Sequence, residues 1–206
     1  MAPLLHIHPD NPQVRLVRQV VEVIRSGGLV VYPTDSSYAL GCHIGDKNAM
    51  ERIRRLRAVD NSHNFTLVCR DLSELSLYAK VHNQAFRLMK SLSPGPYTFI
   101  LKATHEVPKR LQNPKRKTIG LRVPDNAICH EILAQLNEPI MSSTLILPGK
   151  DMPETDPEEI YDKIGKHVDM IVDGGACGLE ATTVLDLLEE TPQVMRRGCG
   201  PTDLFE

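Results

Sequence analysis

The first regular pattern of hydrophobic positions along the chain has the spacing of an α-helix. Apolar side chains recur at intervals of three or four residues at Val14, Val17, Val21 and Ile24, which places them on one helical face. Asn11 is a residue type that favours the N-cap, and Pro12 is tolerated at the first helical position. Gly27 and Gly28 then favour the end of the helix. The pattern predicts an amphipathic helix that buries this face.

A short hydrophobic run follows the predicted helix. Residues 29–32 predict a buried strand that stops at Pro33, because proline cannot donate a hydrogen bond to a sheet. Residues 46–57 then predict a second helix, whose inward positions are Met50, Ile53 and Leu56. The order is therefore strand, polar loop, helix.

Strand and helix patterns keep alternating to the end of the chain. Further strands are predicted over residues 65–69, 97–101, 118–123, 140–143, 168–172, 183–187 and 194–197. Further helices are predicted near residues 125–136 and 156–167, and after Asn83, which is expected to cap a helix that buries Phe86 and Met89. This alternation predicts an α/β fold: one domain over residues 1–206, with a twisted, mixed parallel and antiparallel open sheet flanked by helices. The pattern leaves the strand order open.

Composition excludes several classes of protein. The chain is 41% hydrophobic and 24% charged, as expected of a globular protein and not of a disordered one. No apolar run approaches the roughly 20 residues that span a bilayer, and the first residues do not resemble a secretory leader. The five cysteines are odd in number and widely spaced, which disfavours disulfides and zinc fingers. We expect a cytoplasmic protein that does not contact a membrane.

Charge is unevenly distributed along the chain. Residues 50–122 contain 15 Lys and Arg against 5 Asp and Glu, although the whole chain has a formal net charge of only -2. Such separation indicates that one surface meets an anionic partner. The alternative is that these charges lie on ordinary solvated faces, where each contributes little.

The loop over residues 33–38 is the first candidate for a functional site. It contains Thr34, Asp35, Ser36 and Ser37 directly after a predicted strand, and open α/β sheets place their ligands at the carboxyl ends of strands. The structural alternative is a turn in which hydroxyl and carboxylate groups bond to the local backbone. The residues alone do not decide between the two.

Five segments of the chain resemble motifs of the YrdC/YciO family of threonylcarbamoyl-adenylate synthases. Residues 32–40 resemble its Y-P-T-[ED]-[TS]-x-Y-[GA]-L segment, and residues 93–98 resemble its W-P-G-P-x-T turn. Residues 118–124 resemble T-[IV]-G-x-R-x-P, residues 182–186 resemble S-T-V-x-D, and residues 194–198 resemble the terminal arginine-glycine turn. The matches keep the family's order and extend over roughly residues 13–198, so together they are far more specific than any one motif. The resemblance implies the family's fold with a basic concave groove.

The resemblance also implies a reaction. Family members condense L-threonine, bicarbonate and ATP into threonylcarbamoyl-adenylate and release pyrophosphate, a step toward a modified adenosine in tRNA. Attack on the α-phosphate builds negative charge on phosphate oxygens, which Arg, Lys, Mg²⁺ and hydroxyl groups stabilise without a dedicated base. The implied cofactor is ATP with Mg²⁺, with no tightly bound cofactor. The eight histidines lack metal-site spacing, so we expect no metal site in the protein and Mg²⁺ held partly by the nucleotide.

Site residues follow from the resemblance position by position. The implied substrate-binding residues are Thr34, Tyr38, Asn64 and Arg122. The implied nucleotide-binding residues are Arg57, Thr144, Thr182, Thr183 and Arg196, of which Arg57, Thr144 and Arg196 are the candidate catalytic residues. Arg122 would bind the threonine carboxylate with both arms of its guanidinium, and Arg196 would contact the nucleotide phosphates.

The chain departs from the family at a four-residue signature, K-x-R followed later by S-x-N. Alignment places Arg57 at the lysine position and Val59 at the arginine position, and residues 144–146 stand for S-x-N, with Thr144 for serine and Ile146 for asparagine. Val and Ile neither donate nor accept hydrogen bonds. These changes match the YciO branch and predict weak or altered synthase or hydrolase activity.

An RNA-binding module with a vestigial pocket is the alternative hypothesis. The candidate RNA-binding residues are Arg54, Arg55, Lys115, Arg116 and Lys117. The resemblance implies a cationic concavity suited to double-stranded RNA, which is recognised through phosphates and shape. The aromatic content of only 4% fits that mode better than base stacking. Titration with ATP and Mg²⁺ against duplex RNA would separate the hypotheses. Oligomeric state and protein partners stay open.

Overall fold

The computed structural model describes residues 1–205. The helices are α1 (Val14–Arg25), α2 (Lys47–Arg57), α3 (Leu72–Tyr78), α4 (Asn83–Leu92), α5 (Ala127–Leu136) and α6 (Pro157–Ile164). The strands are β1 (Leu4–His6), β2 (Val30–Pro33), β3 (Tyr38–His43), β4 (Thr66–Val68), β5 (Ala79–Lys80), β6 (Tyr97–Ala103), β7 (Thr118–Arg122), β8 (Ile140–Thr144), β9 (Met170–Asp173), β10 (Thr183–Asp186) and β11 (Gln193–Arg196). Short 3-10 helices lie at Lys109–Leu111 and Asp203–Phe205.

All eleven strands of residues 1–205 belong to one sheet. Its order is β1-β9-β2-β3-β8-β4-β7-β6-β10-β11, and β5 pairs with β6 outside this path. Strands are parallel at β1/β9, β9/β2, β4/β7 and β6/β10, and antiparallel at the other pairings. The predicted α/β class with a mixed sheet is confirmed.

One face of the sheet, here called the back face, is packed along its length by helices. Its strand residues include Val31, Leu40, Leu67, Phe99, Leu121 and Met141. Helices α2, α3, α4 and α6 contribute Met50, Ile53, Leu75, Met89 and Ile160 to the same cluster. Aliphatic and aromatic side chains thus form the main core, whose burial stabilises the fold.

The opposite face, here called the front face, divides into two parts. In the covered half, α1 and α5 pack on β9, β2 and β3 through Val17, Val21, Ile24, Ile128 and Ile132, which meet Val30, Tyr32, Ala39, Met170 and Val172. In the open half, formed by β4, β7, β6 and β10 with part of β8, the front-face positions border a cavity. These positions include Thr66, Thr98, Thr118, Gly120, Ser142 and Thr182, together with the apolar Val68, Ile100 and Val184.

The beginning of α1 differs from the prediction. The helix starts at Val14 with Gln13 as N-cap, not at Asn11 and Pro12. His8 Nδ1 accepts the backbone N–H groups of Asp10 and Asn11 at 3.2 and 3.1 Å, which holds the preceding residues in a turn. Val14 consequently lies in the first turn with 54% of its surface exposed, so its predicted inward position is wrong.

The beginning of α4 is also shifted. His82, not Asn83, is the N-cap, and its Nδ1 accepts the N–H of Ala85 at 3.2 Å. Phe86 is 40% exposed while Met89 is fully buried, so only Met89 of the two faces inward as predicted. Helix α2 was predicted closely, because Asp46 caps it by accepting the N–H of Ala49 at 2.8 Å. Elements β1, β3, β5 and α3 were not predicted.

Candidate functional site

The open half of the front face forms the floor of a cavity of about 370 Å³. Neighbouring strands supply the floor in register: Thr66 of β4 lies beside Gly120 of β7 and Ser142 of β8. An added Cβ at Gly120 would lie 3.3 Å from Thr98 Cγ2 and 3.4 Å from Thr66 Oγ1. Glycine at this position therefore keeps the middle of the floor free of side-chain atoms.

The turn between β2 and β3 forms one wall. Thr34 Oγ1 donates to the carbonyl oxygen of Ser37 at 2.6 Å and accepts the N–H groups of Ser36 and Ser37 at 3.1 Å. Thr34 is buried and lines the cavity. The hydroxyl-rich turn is thus internally bonded, as the structural alternative proposed, and it also borders the cavity, as the functional one proposed.

Tyr38 lies away from the cavity. It is the first residue of β3, and the alternation of the strand sends it to the back-face cluster with Leu40. Its hydroxyl donates to the carbonyl oxygen of Gly175 at 2.6 Å. The structure therefore does not bring Tyr38 together with the other predicted substrate-binding residues, because the loop predicted there gives way to a strand.

Arg122 ends β7 with its side chain nearly buried. One terminal nitrogen donates to Ser36 Oγ at 3.1 Å, and the other forms an ion pair with the carboxylate of Asp35. Nε is buried and has no hydrogen-bond partner within residues 1–205. Both terminal nitrogens that would bind a carboxylate in a bidentate manner already have partners from the turn.

Arg196 lies at the rim of the cavity at the end of β11. Its Nε and one terminal nitrogen donate to the carbonyl oxygen of Thr182 at 3.1 and 2.9 Å. Partial desolvation lowers the pKa of the Arg196 guanidinium below its ordinary value, which leaves it charged at neutral pH. Thr182 lines the cavity, where its Oγ1 bonds to Thr98 Oγ1 at 2.8 Å. Thr183 points the other way and donates to the carbonyl oxygen of Gly200 at 2.6 Å.

At the opposite end of the cavity, three polar side chains contact one another. Arg57, the last residue of α2, donates to Ser143 Oγ at 2.6 Å, and the same nitrogen lies 3.1 Å from His63 Nε2. His63 Nε2 and Ser143 Oγ are 2.9 Å apart. Burial lowers the pKa of Arg57, and burial with the nearby arginine charges lowers the pKa of His63 to about 4. His63 and Ser143 were not predicted as site residues.

Four arginines line the cavity, and no carboxylate does so within residues 1–205. Arg122 has Asp35 as its counter-charge, and Arg116 has Asp186 at 2.5 Å. Arg57 and Arg196 have no carboxylate partner in the described chain. The two ends of the cavity therefore carry cations whose charge is uncompensated, an arrangement that favours an anionic ligand.

Volume and donor chemistry fit a nucleotide. A cavity of about 370 Å³ lies in the usual range of small-molecule sites, and guanidinium and hydroxyl groups are donors suited to phosphate oxygens. The orphaned Nε of Arg122 offers one further donor. The protein offers no cluster of ligands for Mg²⁺, because residues 1–205 contain no group of three or more His, Cys, Asp or Glu placed to hold a cation. A magnesium ion here would be held by the nucleotide.

A family model matches residues 22–198 of the chain; it is named Sua5_yciO_yrdC and described as "Telomere recombination". The chain belongs to the Sua5/YciO/YrdC family. This confirms the resemblance inferred from the five motifs, all of which lie inside the matched residues.

YciO of Escherichia coli strain K12 is 58% identical over 205 residues, with both chains fully covered. The crystal structure of the E. coli protein superimposes with a TM-score of 0.96. The threonylcarbamoyl-AMP synthase of Pyrococcus abyssi is 30% identical over 193 residues, which span 92% of this chain and 56% of that protein. The crystal structure of P. abyssi Sua5 complexed with L-threonine has a TM-score of 0.88 at 26% identity, covering 96% of this chain and 58% of that one.

The two residues that depart from the Sua5/YciO/YrdC signature, Ile146 and Val59, lie in different environments. Ile146 lines the cavity, and its carbonyl oxygen accepts from Arg57 Nε at 3.3 Å. Val59 is half-buried just beyond α2 and is absent from the described lining. Asn64 and Thr144 both line the cavity. The structure thus brings seven predicted pocket residues together: Thr34, Arg57, Asn64, Arg122, Thr144, Thr182 and Arg196.

The predicted RNA-binding residues of this family member are spread over three environments. Arg54 is buried, pairs with Glu51 at 2.8 Å and lies over the Phe65 ring, so its guanidinium is not on the surface. Arg116 lines the cavity. The exposed members are Arg55, Lys115, Lys117 and also Arg116, whose side chain is 46% exposed. No helix within residues 1–205 has the length and apolar character that crossing a bilayer requires.

Proposed function

We propose that the cavity binds an adenine nucleotide, ATP or an adenylate, and that the chain is a YciO-type relative of threonylcarbamoyl-AMP synthase with weak or altered synthase or hydrolase activity. The observation that carries the proposal is the pair of uncompensated arginines. Arg57 and Arg196 lie at the two ends of a cavity whose described lining contains no carboxylate. The family membership and the named activity of the P. abyssi relative support the same reading.

The chain's own groups suit charge stabilisation. Arg196 at one end and Arg57 at the other would hold phosphate oxygens as negative charge develops, and Thr182 and Thr144 would orient them through hydroxyl groups. Proton abstraction by a dedicated base is not required for attack by a carbamate oxygen. Mg²⁺ bound with the nucleotide would neutralise part of the phosphate charge. Such activity would link the protein to tRNA threonylcarbamoyladenosine modification.

Two features support weak or altered activity. The apolar side chain of Ile146 faces the ligand space where the family signature has an amide. The arms of Arg122 are bonded to Asp35 and Ser36, so the threonine carboxylate would have to displace Asp35 or bind through Nε alone. Each lost charge-assisted contact is worth about 1.5–3 kcal/mol, which corresponds to roughly 10- to 100-fold in affinity or rate.

The decisive experiment is calorimetric titration with ATP and Mg²⁺ of the parent and of two matched variants. Arg196→Gln should weaken binding about 10- to 100-fold through loss of a charged donor. Arg87→Gln, which removes an exposed arginine of α4, should bind as the parent does, and both variants should melt near the parent temperature. No ATP binding by the folded parent would overturn the proposal. A pyrophosphate-release assay with threonine and bicarbonate would then separate synthase activity from nucleotide binding alone.

Binding of double-stranded RNA, tRNA or ribosomal RNA is the second candidate, with the pocket vestigial. It is favoured by the exposed cations Lys115 and Lys117 in the turn that leads into β7, beside Arg116 at the cavity. The test variant is Lys115→Glu with Lys117→Glu, which leaves the buried partner Asp186 of Arg116 paired. We expect weaker binding of duplex RNA and a flatter salt dependence. Unchanged RNA affinity in the double variant, or salt-insensitive binding by the parent, would eliminate this candidate.

A further inference from the structure

The contacts among Arg57, His63 and Ser143 favour one protonation state of the imidazole. An arginine can only donate hydrogen bonds. Its nitrogen lies 2.6 Å from Ser143 Oγ and 3.1 Å from His63 Nε2, so Nε2 accepts and carries no proton. This contact fits a neutral imidazole with its proton on Nδ1, in which the single lone pair of Nε2 is shared between the Arg57 N–H and the Ser143 hydroxyl, 2.9 Å away.

Burial of the ring and the charges around it explain why His63 stays neutral. Helix α2 presents Arg57 and Arg54 to His63, and the loop after α2 presents Asp60. Strand β8 contributes the uncharged Ser143. Burial of the ring disfavours its charged form most strongly, and two cations against one anion act in the same direction; together they lower the pKa of His63 to about 4.

A phosphate group entering this end of the cavity would change that balance. Phosphate oxygens would accept the N–H of Arg57 that now points at His63 Nε2, which frees Nε2. The negative charge would also offset the repulsion from Arg57 and Arg54. A neutral Nε2 beside a phosphate oxygen has nothing to donate, whereas a protonated Nε2 can form a charge-assisted hydrogen bond.

We propose that His63 is a ligand-binding residue that takes up a proton from solvent when a nucleotide phosphate binds at Arg57 and Ser143, and donates it in a hydrogen bond to that phosphate. This inference rests on the nucleotide site proposed above. Among the lining residues of the described chain, His63 has the only side chain whose ordinary pKa lies near neutrality. It supplies a donor beside Arg57, which also bonds to the carbonyl oxygen of Ile146, the position where the signature amide is missing.

The test is calorimetric titration with ATP at pH 6.0 and at pH 8.0, each in two buffers of different ionisation enthalpy. The heat difference between buffers measures protons taken up per ATP bound. The parent should take up a fraction of a proton more than His63→Gln at pH 6.0, and the variant should bind about tenfold more weakly there. At pH 8.0 the two affinities should agree within about threefold. Protonation of ATP itself cancels in this comparison.

His130→Gln is the matched control, because His130 is an exposed histidine of α5 that does not line the cavity. It should behave as the parent does at both pH values. Equal proton uptake and equal affinity in the parent and His63→Gln would overturn the inference while leaving the nucleotide site intact. Absence of ATP binding by the parent would overturn both. Should His63→Gln unfold, histidine proton resonances of the parent, titrated with and without ATP, decide the matter: a ring whose pKa does not rise with ATP contradicts the proposal.

Discussion

The covered and open halves of the front face are made by one sheet but carry different residues. In the covered half, Val30 and Ile140 project toward α1 and α5. In the open half, Thr66, Thr118 and Gly120 occupy equivalent front-face positions and meet a cavity. Both halves have the same apolar back face. The open half thus mixes hydroxyl groups and glycine with apolar residues such as Ile100 and Val184, whereas the front-face cluster of the covered half is apolar.

The boundary between the halves runs through Tyr32. Its ring packs with the α1 and α5 cluster, and its hydroxyl bonds to Ser142 Oγ at 2.6 Å beside the cavity. Ser142 Oγ in turn donates to the carbonyl oxygen of Leu40 at 3.1 Å. Burial raises the pKa of the Tyr32 phenol far above its ordinary value, so this hydroxyl stays protonated and serves as a fixed donor.

The largest effect should come from breaking the covered half. Ile132→Ala removes a side chain of α5 that is fully buried, and such truncations lower the free energy of unfolding by about 2–5 kcal/mol. Thr66→Ala in the open half should lower it by less than about 1 kcal/mol, because Thr66 is only half-buried. Urea denaturation of both variants measures the difference. Equal losses would show that the two halves contribute alike to stability.

Filling the floor of the open half should affect binding and not folding. Gly120→Val places a side chain between Thr66 and Thr98 in the middle of the cavity. We expect ATP affinity to fall about 10- to 100-fold, because ligand contacts are replaced by overlap. Gly120→Ala, whose single added carbon needs a shift of only a few tenths of an ångström, should have a smaller effect. Calorimetric titration of the series checks this order, and undiminished ATP affinity in a folded Gly120→Val protein would place the ligand elsewhere.

Restoring the family signature should raise activity. Val59→Arg with Ile146→Asn returns the two missing polar groups, and we expect threonylcarbamoyl-AMP formation to increase on the order of tenfold. Most of the gain should come from Ile146→Asn, since Ile146 lines the cavity and Val59 does not. Pyrophosphate release measures the gain, with melting as a check on the half-buried replacements. A folded double variant without gain would show that these positions do not limit the reaction.

The smallest expected effect concerns the pH dependence of stability. The pKa of His63 is lowered to about 4 in the folded chain, against about 6.5 when unfolded. Between these two pKa values the unfolded state binds more protons than the folded state. The contribution of neutral His63 to the free energy of unfolding is therefore fully present above pH 6.5 and declines as the pH falls toward 4. His63→Gln should flatten this decline, and His130→Gln should not. Because the ring is partly exposed, the change in the free energy of unfolding should be well below the change expected for a fully buried histidine. Denaturation at pH 7.0 and 4.5 tests it.

The sequence was informative about the open half because its chemistry lies in strand motifs. One cavity is lined by Arg122, Thr182 and Arg196, because β7, β10 and β11 lie near one another at the same end of the strand order. Tyr38 and Thr183 fail to join them because successive strand residues face opposite sides. A motif gives the order of residues along a strand. The face of the sheet to which each side chain points depends on where that strand begins.

His63 and Ser143 escaped prediction for a different reason. His63 lies in an irregular segment after α2, where no periodicity indicates a direction, and Ser143 stands beside the residue aligned with the signature serine. The hydroxyl that contacts Arg57 is that of Ser143. The predicted first residues of α1 and α4, near Asn11 and Asn83, were wrong because the side chains of His8 and His82 bond to the backbone there. Histidine is not a usual cap residue.

The position of β9 has a consequence for biosynthesis. β9 inserts between β1 and β2, with Ile171 pairing with both Leu4 and Val31. A nascent chain that has not yet reached residue 170 holds β2 with a bare apolar edge, and such edges recruit strands from other molecules. Closure of the sheet is therefore a late, long-range event during translation. Chains cut short before that strand should accumulate as aggregates in cells, while full-length chains protect the same edge themselves.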